Sequence, residues 1–318
     1  MKRFYALLLA LGICFVSALP ALAEYPAKPI MLMTAFNAGG GSDVSHRLLE
    51  KFAKGVFDQP IIVTYKAGAG GEIGWTWLIG AKADGYTIGG VDLPHIVLQP
   101  MLRPEGQPGY KTEQLSPLCG LVYDADVVMV PEDAPYKTFK DFIEYAKANP
   151  GKVKVATVGK LTGDHLFLMQ IEKLTGAKFT QVPYSGSGKA IPALLSGEVD
   201  AYFGSGSSFL RMEKTRGLAI GSKERYELCP DVPTFIEQGY AIESGKYRGL
   251  ATPQGIPAEA RQYLESKFAE VCADPEYQKA VKSSGLMPQF QTGKAFGEII
   301  SREGEQAKKV LEASGFLK

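Results

Sequence analysis

Apolar runs and amphipathic segments alternate along the first part of the chain, and this alternation predicts strands followed by helices. Ile30 to Phe36, Ile61 to Tyr65 and Tyr86 to Val91 are apolar runs of strand length. After the first run, apolar residues recur at every fourth position from Val44 to Val56, which gives a helix one apolar stripe. A second helix is predicted from Ile73 to Ala81. This order of elements predicts a parallel sheet with helices on its faces.

The same alternation continues in the second part of the chain. The strands predicted there are Val127 to Val130, Val153 to Val158, Phe179 to Val182 and Ala201 to Phe203. The helices predicted between them are Thr138 to Ala148, Asp164 to Leu174 and Ala190 to Ser196, the first of them with Thr138 as its N-cap. After Leu250 the sequence shows helical patterns up to the C-terminus. The whole pattern predicts two α/β domains in one compact chain.

The N-terminus has the pattern of a secretory signal peptide. Lys2 and Arg3 precede an apolar run from Phe4 to Leu19, and Ala21-Leu22-Ala23 follows with small residues where a signal peptidase cleaves. The apolar run is shorter than the roughly 20 residues that a membrane-spanning helix needs. We therefore expect residues 1–23 to be removed after Ala23, and the protein to be exported.

Composition excludes some classes of protein and leaves the state of the cysteines open. The 318 residues include 35 Lys+Arg and 34 Asp+Glu, and 45% are hydrophobic, which excludes a disordered chain and gives no basic excess for a nucleic acid. Beyond the signal peptide lie Cys119, Cys229 and Cys272, which could form one disulfide or stay unpaired and buried. The histidines and cysteines show no metal-ligand spacing. We expect no metal and no cofactor.

Four polar, glycine-rich turns follow predicted strands. They are Ala38 to Asp43, Ala67 to Gly71, Gly159 to Asp164 and Ser185 to Lys189. Ligands of open α/β sheets bind beyond the carboxyl ends of the strands. Glycine allows the backbone to approach a ligand closely, and the free N–H groups at the start of a helix favour an anion. The turns therefore predict a site for a small acid, bound by backbone amides and hydroxyl groups.

Two other functions, nucleotide binding and catalysis, are alternatives to a site for a small acid. The segment from Gly68 to Gly74 resembles a relaxed dinucleotide fingerprint, but it follows the second strand and lacks a clearly placed acidic residue for a ribose. No G-x-S-x-G elbow surrounds Ser187. His165 lies beside Asp164 and could form a catalytic triad with Ser185. An exported hydrolase or isomerase is therefore an alternative.

Several segments resemble the receptor proteins of tripartite tricarboxylate transporters, also called Bug proteins. The markers occur in the order seen in that family across nearly the whole mature chain. They include Tyr25 to Ile30, Phe36-Asn-Ala-Gly-Gly-Gly-Ser-Asp43, Lys66 to Gly74, Ala83 to Thr87, Val182 to Gly186, Leu195 to Asp200, Pro230 to Thr234 and Pro253 to Pro257.

This resemblance implies an α/β, two-domain periplasmic-binding-protein (Venus flytrap) fold, each domain a mainly parallel sheet flanked by helices. By analogy, residues 24–123 and 249–318 form the first domain and residues 124–248 the second. Members of the family bind small carboxylates in the cleft between the domains and deliver them to a membrane permease. The resemblance thus implies a monomeric periplasmic receptor for an organic acid, with dicarboxylates and aromatic acids as candidates. The alternative is a periplasmic sensing adaptor for a membrane kinase.

The family's ligand-binding positions can be carried over to this chain. They map to Phe36, Ala38, Gly39, Gly40, Asp43, Leu93 and Pro94 in the first domain, and to Gly159, Thr162, His165, Tyr184, Ser185 and Ser205 in the second. Lys160 stands where relatives usually have a small residue, and Arg248 lies where many have an aromatic pair. We hypothesise that Lys160 or Arg248 pairs with a second carboxylate of the ligand; alternatively, both are solvated surface cations.

Overall fold

The computed structural model of the protein describes residues 25–160, 162–313 and 315–317. The predicted signal peptide lies outside these ranges. The strands are β1 Ile30–Thr34, β2 Ile61–Tyr65, β3 Thr87–Asp92, β4 Leu115–Pro131, β5 Lys154–Val158, β6 Thr180–Tyr184, β7 Ala201–Ser205, β8 Thr215–Ile220, β9 Gly245–Pro253 and β10 Met287–Thr292. The helices are α1 Gly41–Phe52, α2 Glu72–Ile79, α3 His95–Leu102, α4 Phe139–Ala148, α5 Gly163–Thr175, α6 Ser187–Leu195, α7 Gly206–Phe209, α8 Ala258–Ala273, α9 Pro275–Ser283 and α10 Gly293–Ala313.

The strands form one continuous sheet in the order β2-β1-β3-β9-β4-β7-β5-β6, and β8 and β10 also pair with β4. At one end β1 pairs in parallel with β2 and β3, and at the other end β5 pairs in parallel with β6 and β7. These two parallel arrays follow the predicted β-α-β order. Antiparallel pairs join them in the middle of the sheet, where β9 lies between β3 and β4.

Strand β4 connects the two halves of the sheet. It has 17 residues, and its segment from Leu115 to Ala125 pairs with β9, while the residues from Asp126 onward pair with β7 and β8. The sequence predicted only the end of this strand, because Pro117 and the polar residues Asp124 and Asp126 interrupt the apolar run. We call the part that contains β1–β3, β9 and β10 the first half, and the part that contains β5–β8 the second half.

Each half has its own apolar core. The core of the first half includes Ile30, Leu32, Ile88, Leu118, Leu250 and Phe268. The core of the second half includes Val128, Val155, Phe167, Phe203 and Phe235. Leu166 and Met169 of α5, although they belong to the second half, pack in a cluster with Trp75 and Val97 of the first. The two halves are therefore in apolar contact in this structure.

Local signals in the sequence explain the start of α4 and only part of α1. Thr138 accepts a hydrogen bond from the Asp141 backbone N at 3.1 Å, as expected of an N-cap. The predicted apolar stripe of α1 is only partly buried, and its deeply buried face carries Ser45, His46 and Leu49 instead. Gly90 makes room for the His46 ring, since a Cβ at residue 90 would overlap the Cε1 atom of that ring.

The structure also answers the question that the cysteines left open. Cys119, Cys229 and Cys272 are unpaired and buried. Burial raises the pKa of the Cys229 thiol to about 11, so this group stays protonated at neutral pH. In the part of the chain that the structure describes, no helix combines the length and the apolar character needed to cross a membrane.

Candidate functional site

A cavity of about 360 Å³ lies between the two halves of the molecule. Its volume is in the range of small-molecule binding sites. The first half contributes the segment from Phe36 to Ser42 together with Asp92 and His95, and the second half contributes Val158, Asp164, the turn from Ser185 to Lys189, Tyr202 and Ser205. Lys246 and Arg248 of β9 complete the wall.

The first-half wall contains the start of α1. Gly40 is the N-cap and has no side chain to accept from the first turn, so backbone N–H groups of that turn remain available. Gly41 and Ser42 line the cavity directly. Asp43 fixes the turn, because it accepts from the Gly39 backbone N at 2.8 Å and from the Tyr65 hydroxyl at 2.6 Å. The result is a fixed helix start that offers partial positive charge to an anion.

The alternation of side chains along β9 places two cations on the cavity face. Lys246 and Arg248 are two residues apart and both are buried, while Tyr247 points to the opposite face. There the Tyr247 ring packs against Tyr123, with 4.8 Å between the ring centroids. Arg248 is therefore a buried residue of the cavity wall and not a solvated surface cation.

Arg248 is held by two carboxylates. Its Nη1 donates to Asp124 Oδ2 at 2.9 Å, and its Nε lies 3.3 Å from Asp92 Oδ1. Asp124 also accepts from the backbone N and the hydroxyl of Ser207, at 2.9 and 2.6 Å. Burial alone would lower the pKa of Arg248, but the charges of Asp124 and Asp92 raise it above its ordinary value. The guanidinium thus stays charged inside the wall.

Lys246 makes the corresponding contacts with the second half. Its Nζ is bonded to Asp126 and lies 2.9 Å from Asp164 Oδ1. Asp164 is fixed by the backbone N of Val158, which donates to its Oδ2 at 2.9 Å. Burial raises the pKa of Asp126 to about 6, against the opposing charge of Lys246. Besides Asp124 and Asp126 of β4, the two cations of β9 therefore contact one carboxylate in each half. Arg248 contacts Asp92 in the first half, and Lys246 contacts Asp164 in the second.

These carboxylates form a network of ion pairs. Among the residues that the structure describes, no His, Cys, Asp and Glu side chains come together in a group that could hold a metal ion. Lys246 and Arg248 occupy the space between the acidic groups. The chemistry that the site offers is ionic and hydrogen-bonded recognition of a polar ligand.

The predicted site residues fall in several places. Those that line the cavity are Phe36, Ala38, Gly40, Ser185, Ser205 and Arg248. Gly159 and Tyr184 line an adjacent recess of about 150 Å³, which Phe36 and Ser185 also border. Gly39 and Asp43 hold the turn before α1.

The remaining predicted residues lie near the cavity or at the surface. Leu93 is fully buried in the apolar cluster that includes Leu166 and Met169, and Pro94 faces Gly163 of the second half. The Thr162 hydroxyl donates to the Gly159 carbonyl oxygen at 3.4 Å, and the His165 ring lies 6.0 Å from that of Phe316. Lys160 is exposed after β5 and does not line the cavity.

Sequence reasoning did not assign a ligand-binding role to several charged or polar residues that line the cavity. They include Asp92, His95, Asp164 and Lys246, and of these four only Asp164 falls in a predicted glycine-rich turn. A signal for this network was present, because Asp124-Ala125-Asp126 and Lys246-Tyr247-Arg248 both place like charges two residues apart. On neighbouring strands this spacing puts opposite charges on one face.

Comparison with known proteins agrees with this architecture. Residues 46–316 match the family described as "Tripartite tricarboxylate transporter family receptor". The protein BugT from Bordetella pertussis is 30% identical over 323 residues, which cover 97% of each chain. A solved structure described as a periplasmic transporter superposes with a TM-score of 0.87 at 30% identity, over 92% of this chain and 99% of that one.

A third comparison extends the fold to a more distant protein. MatC from Rhodopseudomonas palustris, solved with bound malate, has a TM-score of 0.83 at 23% identity, over 90% of this chain and all of that one. At this identity the likeness shows the fold alone. The periplasmic-binding-protein fold predicted from the sequence is thereby confirmed. The match over residues 46–316 shows that this chain belongs to the receptor family of the tripartite tricarboxylate transporters.

Proposed function

We propose that this protein is a periplasmic receptor that binds a small carboxylate between its two halves and delivers it to a tripartite tricarboxylate-type permease. The observation that carries the proposal is the start of α1, where Gly40, Gly41 and Ser42 line a cavity of ligand size. Backbone N–H groups at a helix start bind carboxylates without a dedicated side chain. Family membership supports the class of ligand and the role in transport.

In this proposal the two walls have different tasks. The start of α1 holds a carboxylate, and the guanidinium of Arg248, which lies against Gly41, adds positive charge beside it. The turn from Ser185 to Lys189 and the Ser205 hydroxyl bind the remainder of the ligand from the second half. Lys189 is exposed at this wall and is the cation placed to meet a second carboxylate.

Delivery requires that the permease distinguish the loaded receptor from the empty one. The chain passes between the two halves within β4 and at the start of β9, so a bend at these strands moves one half against the other. With residues 24–123 and 249–318 as one domain and 124–248 as the other, closure around the acid changes the surface that both halves present. A monomer that closes in this way presents the permease with a docking surface and needs no second copy of the chain.

The proposal is tested with the mature protein, residues 24–318. Native mass spectrometry before and after unfolding and dialysis will identify any acid that co-purifies. A thermal-shift panel of mono-, di- and tricarboxylates and aromatic acids then measures selectivity, because a ligand that binds only the native state raises the melting temperature. We expect at least one acid to raise it by several degrees. No bound mass together with a flat panel would contradict the proposal.

A further inference from the structure

The ion-pair network beside the cavity contains more buried carboxylates than cations. The carboxylates are those of Asp92, Asp124, Asp126 and Asp164, and the cations are Lys246 and Arg248. With every group ionised, four negative and two positive charges leave an excess of two negative charges. The single charge of a carboxylate ligand would raise this excess to three. Because like charges repel strongly in a buried site, binding of an acid favours the neutralisation of one carboxylate.

Asp92 has an oxygen that can take a proton without losing an existing hydrogen bond. Its Oδ1 accepts from the Ser42 hydroxyl and lies 3.3 Å from Arg248 Nε. Its Oδ2 is buried and has no hydrogen-bond partner among the described residues. Asp92 is 3% exposed and lines the cavity. A proton on Oδ2 would turn this lone acceptor into a donor that faces the ligand site.

The other three carboxylates are held in their charged form by donors. Asp124 accepts three hydrogen bonds, one of them from a guanidinium group. Asp126 and Asp164 both contact the ammonium group of Lys246. Asp126 also accepts from the Ser244 hydroxyl at 2.7 Å, and Asp164 accepts from a backbone N at 2.9 Å. Hydrogen bonds to a charged carboxylate favour that form, so Asp92 is the group best suited to a proton.

Asp92 also lies beside the proposed position of the ligand carboxylate. It is the last residue of β3, and the hydroxyl that it accepts from belongs to Ser42 in the first turn of α1. A carboxylate at this helix start is therefore a close neighbour of Asp92. Two neighbouring carboxyl groups ionise together only at a high cost, whereas one proton shared between them forms a charge-assisted hydrogen bond.

We propose that the protein takes up a proton when it binds its acid, and that Asp92 Oδ2 holds this proton and donates a hydrogen bond to the ligand carboxylate. The inference rests on the proposed function, because it takes the carboxylate to lie at the start of α1. The proton comes from solvent, no bond of the ligand is broken, and its positive charge cancels the negative charge that a carboxylate brings. Burial already raises the pKa of Asp92 above its ordinary value in the empty site.

The charged and titratable groups around Asp92 come from several elements. They are Asp43 and His46 of α1, His95 of α3, Asp124 and Asp126 of β4, Asp164 of α5, Lys189 of α6, Tyr202 of β7, and Lys246 and Arg248 of β9. Burial lowers the pKa of His46 to about 4 and that of His95 well below its usual value, so both rings are neutral at neutral pH. Asp126 is the competing proton site, because burial raises its pKa to about 6.

Proton uptake makes the affinity for the acid depend on pH. The bound acid raises the pKa of Asp92. Affinity is therefore highest below the pKa that Asp92 has in the empty protein, and it falls as the pH rises towards the pKa in the complex. An uptake of half a proton per acid corresponds to a loss of affinity of about threefold per pH unit.

Titration calorimetry of the mature protein with acetate, succinate, malate, adipate and benzoate measures both effects. Binding enthalpies in PIPES, HEPES and Tris buffers, which differ in ionisation enthalpy, give the number of protons taken up. We expect at least half a proton per bound acid at about pH 7, and at least a threefold loss of affinity from pH 6.5 to pH 7.5. Carboxyl groups of ordinary pKa are ionised in this interval, so the ligand does not supply the effect.

Two negative results have different meanings. Binding of an acid with no proton uptake and a flat pH profile would overturn the inference and leave the proposed function intact. A water molecule that donates to Asp92 Oδ2 would give this result. Absence of binding by all five acids at every pH would overturn the proposed function together with the inference.

The variant Asp92→Asn assigns the proton to its residue. The amide is neutral and has an N–H donor, as the protonated carboxyl group has an O–H donor. We expect this variant to bind the acid without proton uptake, with an affinity that changes less than twofold between pH 6.5 and pH 8. At pH 8 it should bind at least threefold more tightly than wild type, because it needs no proton. A purely structural role of Asp92 would instead weaken binding equally at every pH, and that result would overturn the inference.

Two further variants separate Asp92 from other carboxylates. Asp126→Asn should still take up at least half a proton per acid, and the exposed Asp231, changed to Asn as a matched control, should behave as wild type. Loss of uptake in Asp126→Asn and its retention in Asp92→Asn would move the proton to Asp126 and overturn the inference. The wild-type titrations need no variant, so they decide whether binding takes up a proton even if Asp92→Asn does not fold.

Discussion

Arg248 on β9 donates from Nη1 to the Oδ2 atom of Asp124 on β4 at 2.9 Å, and both side chains are buried. This pair joins two strands that are far apart in sequence and adjacent in the sheet. Arg248 also contacts Asp92 at the end of β3. The wall of the cavity and the connection between the halves of the sheet are therefore built from the same ion pairs.

Replacing Arg248 should destabilise the whole protein. Arg248→Met leaves the carboxylates of Asp124 and Asp92 buried without their cation, and breaking a buried pair in this way costs about 3–5 kcal/mol. Urea unfolding measures the change in the free energy of unfolding. The matched control is Arg225→Met, because Arg225 pairs with Glu237 at the exposed surface, where a pair contributes about 0–1 kcal/mol. A loss below about 1 kcal/mol for Arg248→Met would contradict this reading of the network.

A methyl group at the start of α1 should weaken carboxylate binding. In Gly41→Ala the new Cβ would lie 2.6 Å from Arg248 Nη2, so the guanidinium must move while Asp124 and Asp92 hold it. We expect the dissociation constant for the acid found in the thermal-shift panel to rise at least tenfold. Gly80→Ala is the control, since its Cβ would meet its nearest neighbour at 3.6 Å, away from the cavity. Equal affinity of Gly41→Ala and wild type would place the carboxylate elsewhere.

Gly163 lets the two halves approach each other. A Cβ at this residue of α5 would lie 3.0 Å from His95 Cε1 and from Pro94 Cδ in the first half. Gly163→Ala should therefore disfavour the approach of the halves and weaken ligand binding severalfold, without lowering the stability of the empty protein. Titration calorimetry and urea unfolding separate the two effects. Gly297→Ala in α10 is the control, because its new Cβ would lie 3.7 Å from the nearest atom; it should change neither ligand affinity nor stability. An unaltered ligand affinity of Gly163→Ala would show that this contact does not limit closure.

His46 should make stability depend on pH between about 4 and 6.5. Burial lowers its pKa from 6.5 to about 4, with a further contribution from Arg248, so only the unfolded chain binds a proton in this interval. The contribution of His46 to stability is complete above pH 6.5 and is lost as the pH falls towards 4, by up to about 3 kcal/mol. Asp126 has a raised pKa of about 6 and acts in the opposite direction.

The comparison with His46→Asn isolates this group from Asp126. We expect the free energy of unfolding of wild type, relative to the variant, to be about 3 kcal/mol smaller at pH 4 than at pH 7. Chemical unfolding of both proteins at several pH values measures this difference. A difference that does not vary with pH would mean that the native state accepts the proton on His46 as readily as the unfolded chain does.

The sequence predicted those elements whose signals are local. The bounds of β2 and the cap of α4 were predicted correctly, because a short apolar run and the Thr138 cap act within a few residues. β4 was recognised only at its end, since its pairing with β9 depends on residues far away in the chain. β8 and β10 were not predicted, and both are paired with β4.

The candidate site divides in the same way. The glycine turn before α1 could be found from sequence, because glycines after a strand have a direct structural meaning. The ion pair between Lys246 and Asp164 could not be predicted, because it depends on a contact between β9 and α5 that no local pattern shows. Lys160 looked equivalent to Arg248 as a cation in a family position, and only the fold distinguishes an exposed loop residue from a buried one.

The central claim is that a carboxylate binds at the start of α1, between the two halves. A crystal structure of the mature protein with the acid that raises its melting temperature most is the most direct test. We expect a carboxylate oxygen at about 3 Å from a backbone N of the first turn of α1, with Ser185 and Ser205 contacting the rest of the ligand. An acid bound elsewhere, such as in the apolar groove between Val97 and Gly304, would contradict the claim.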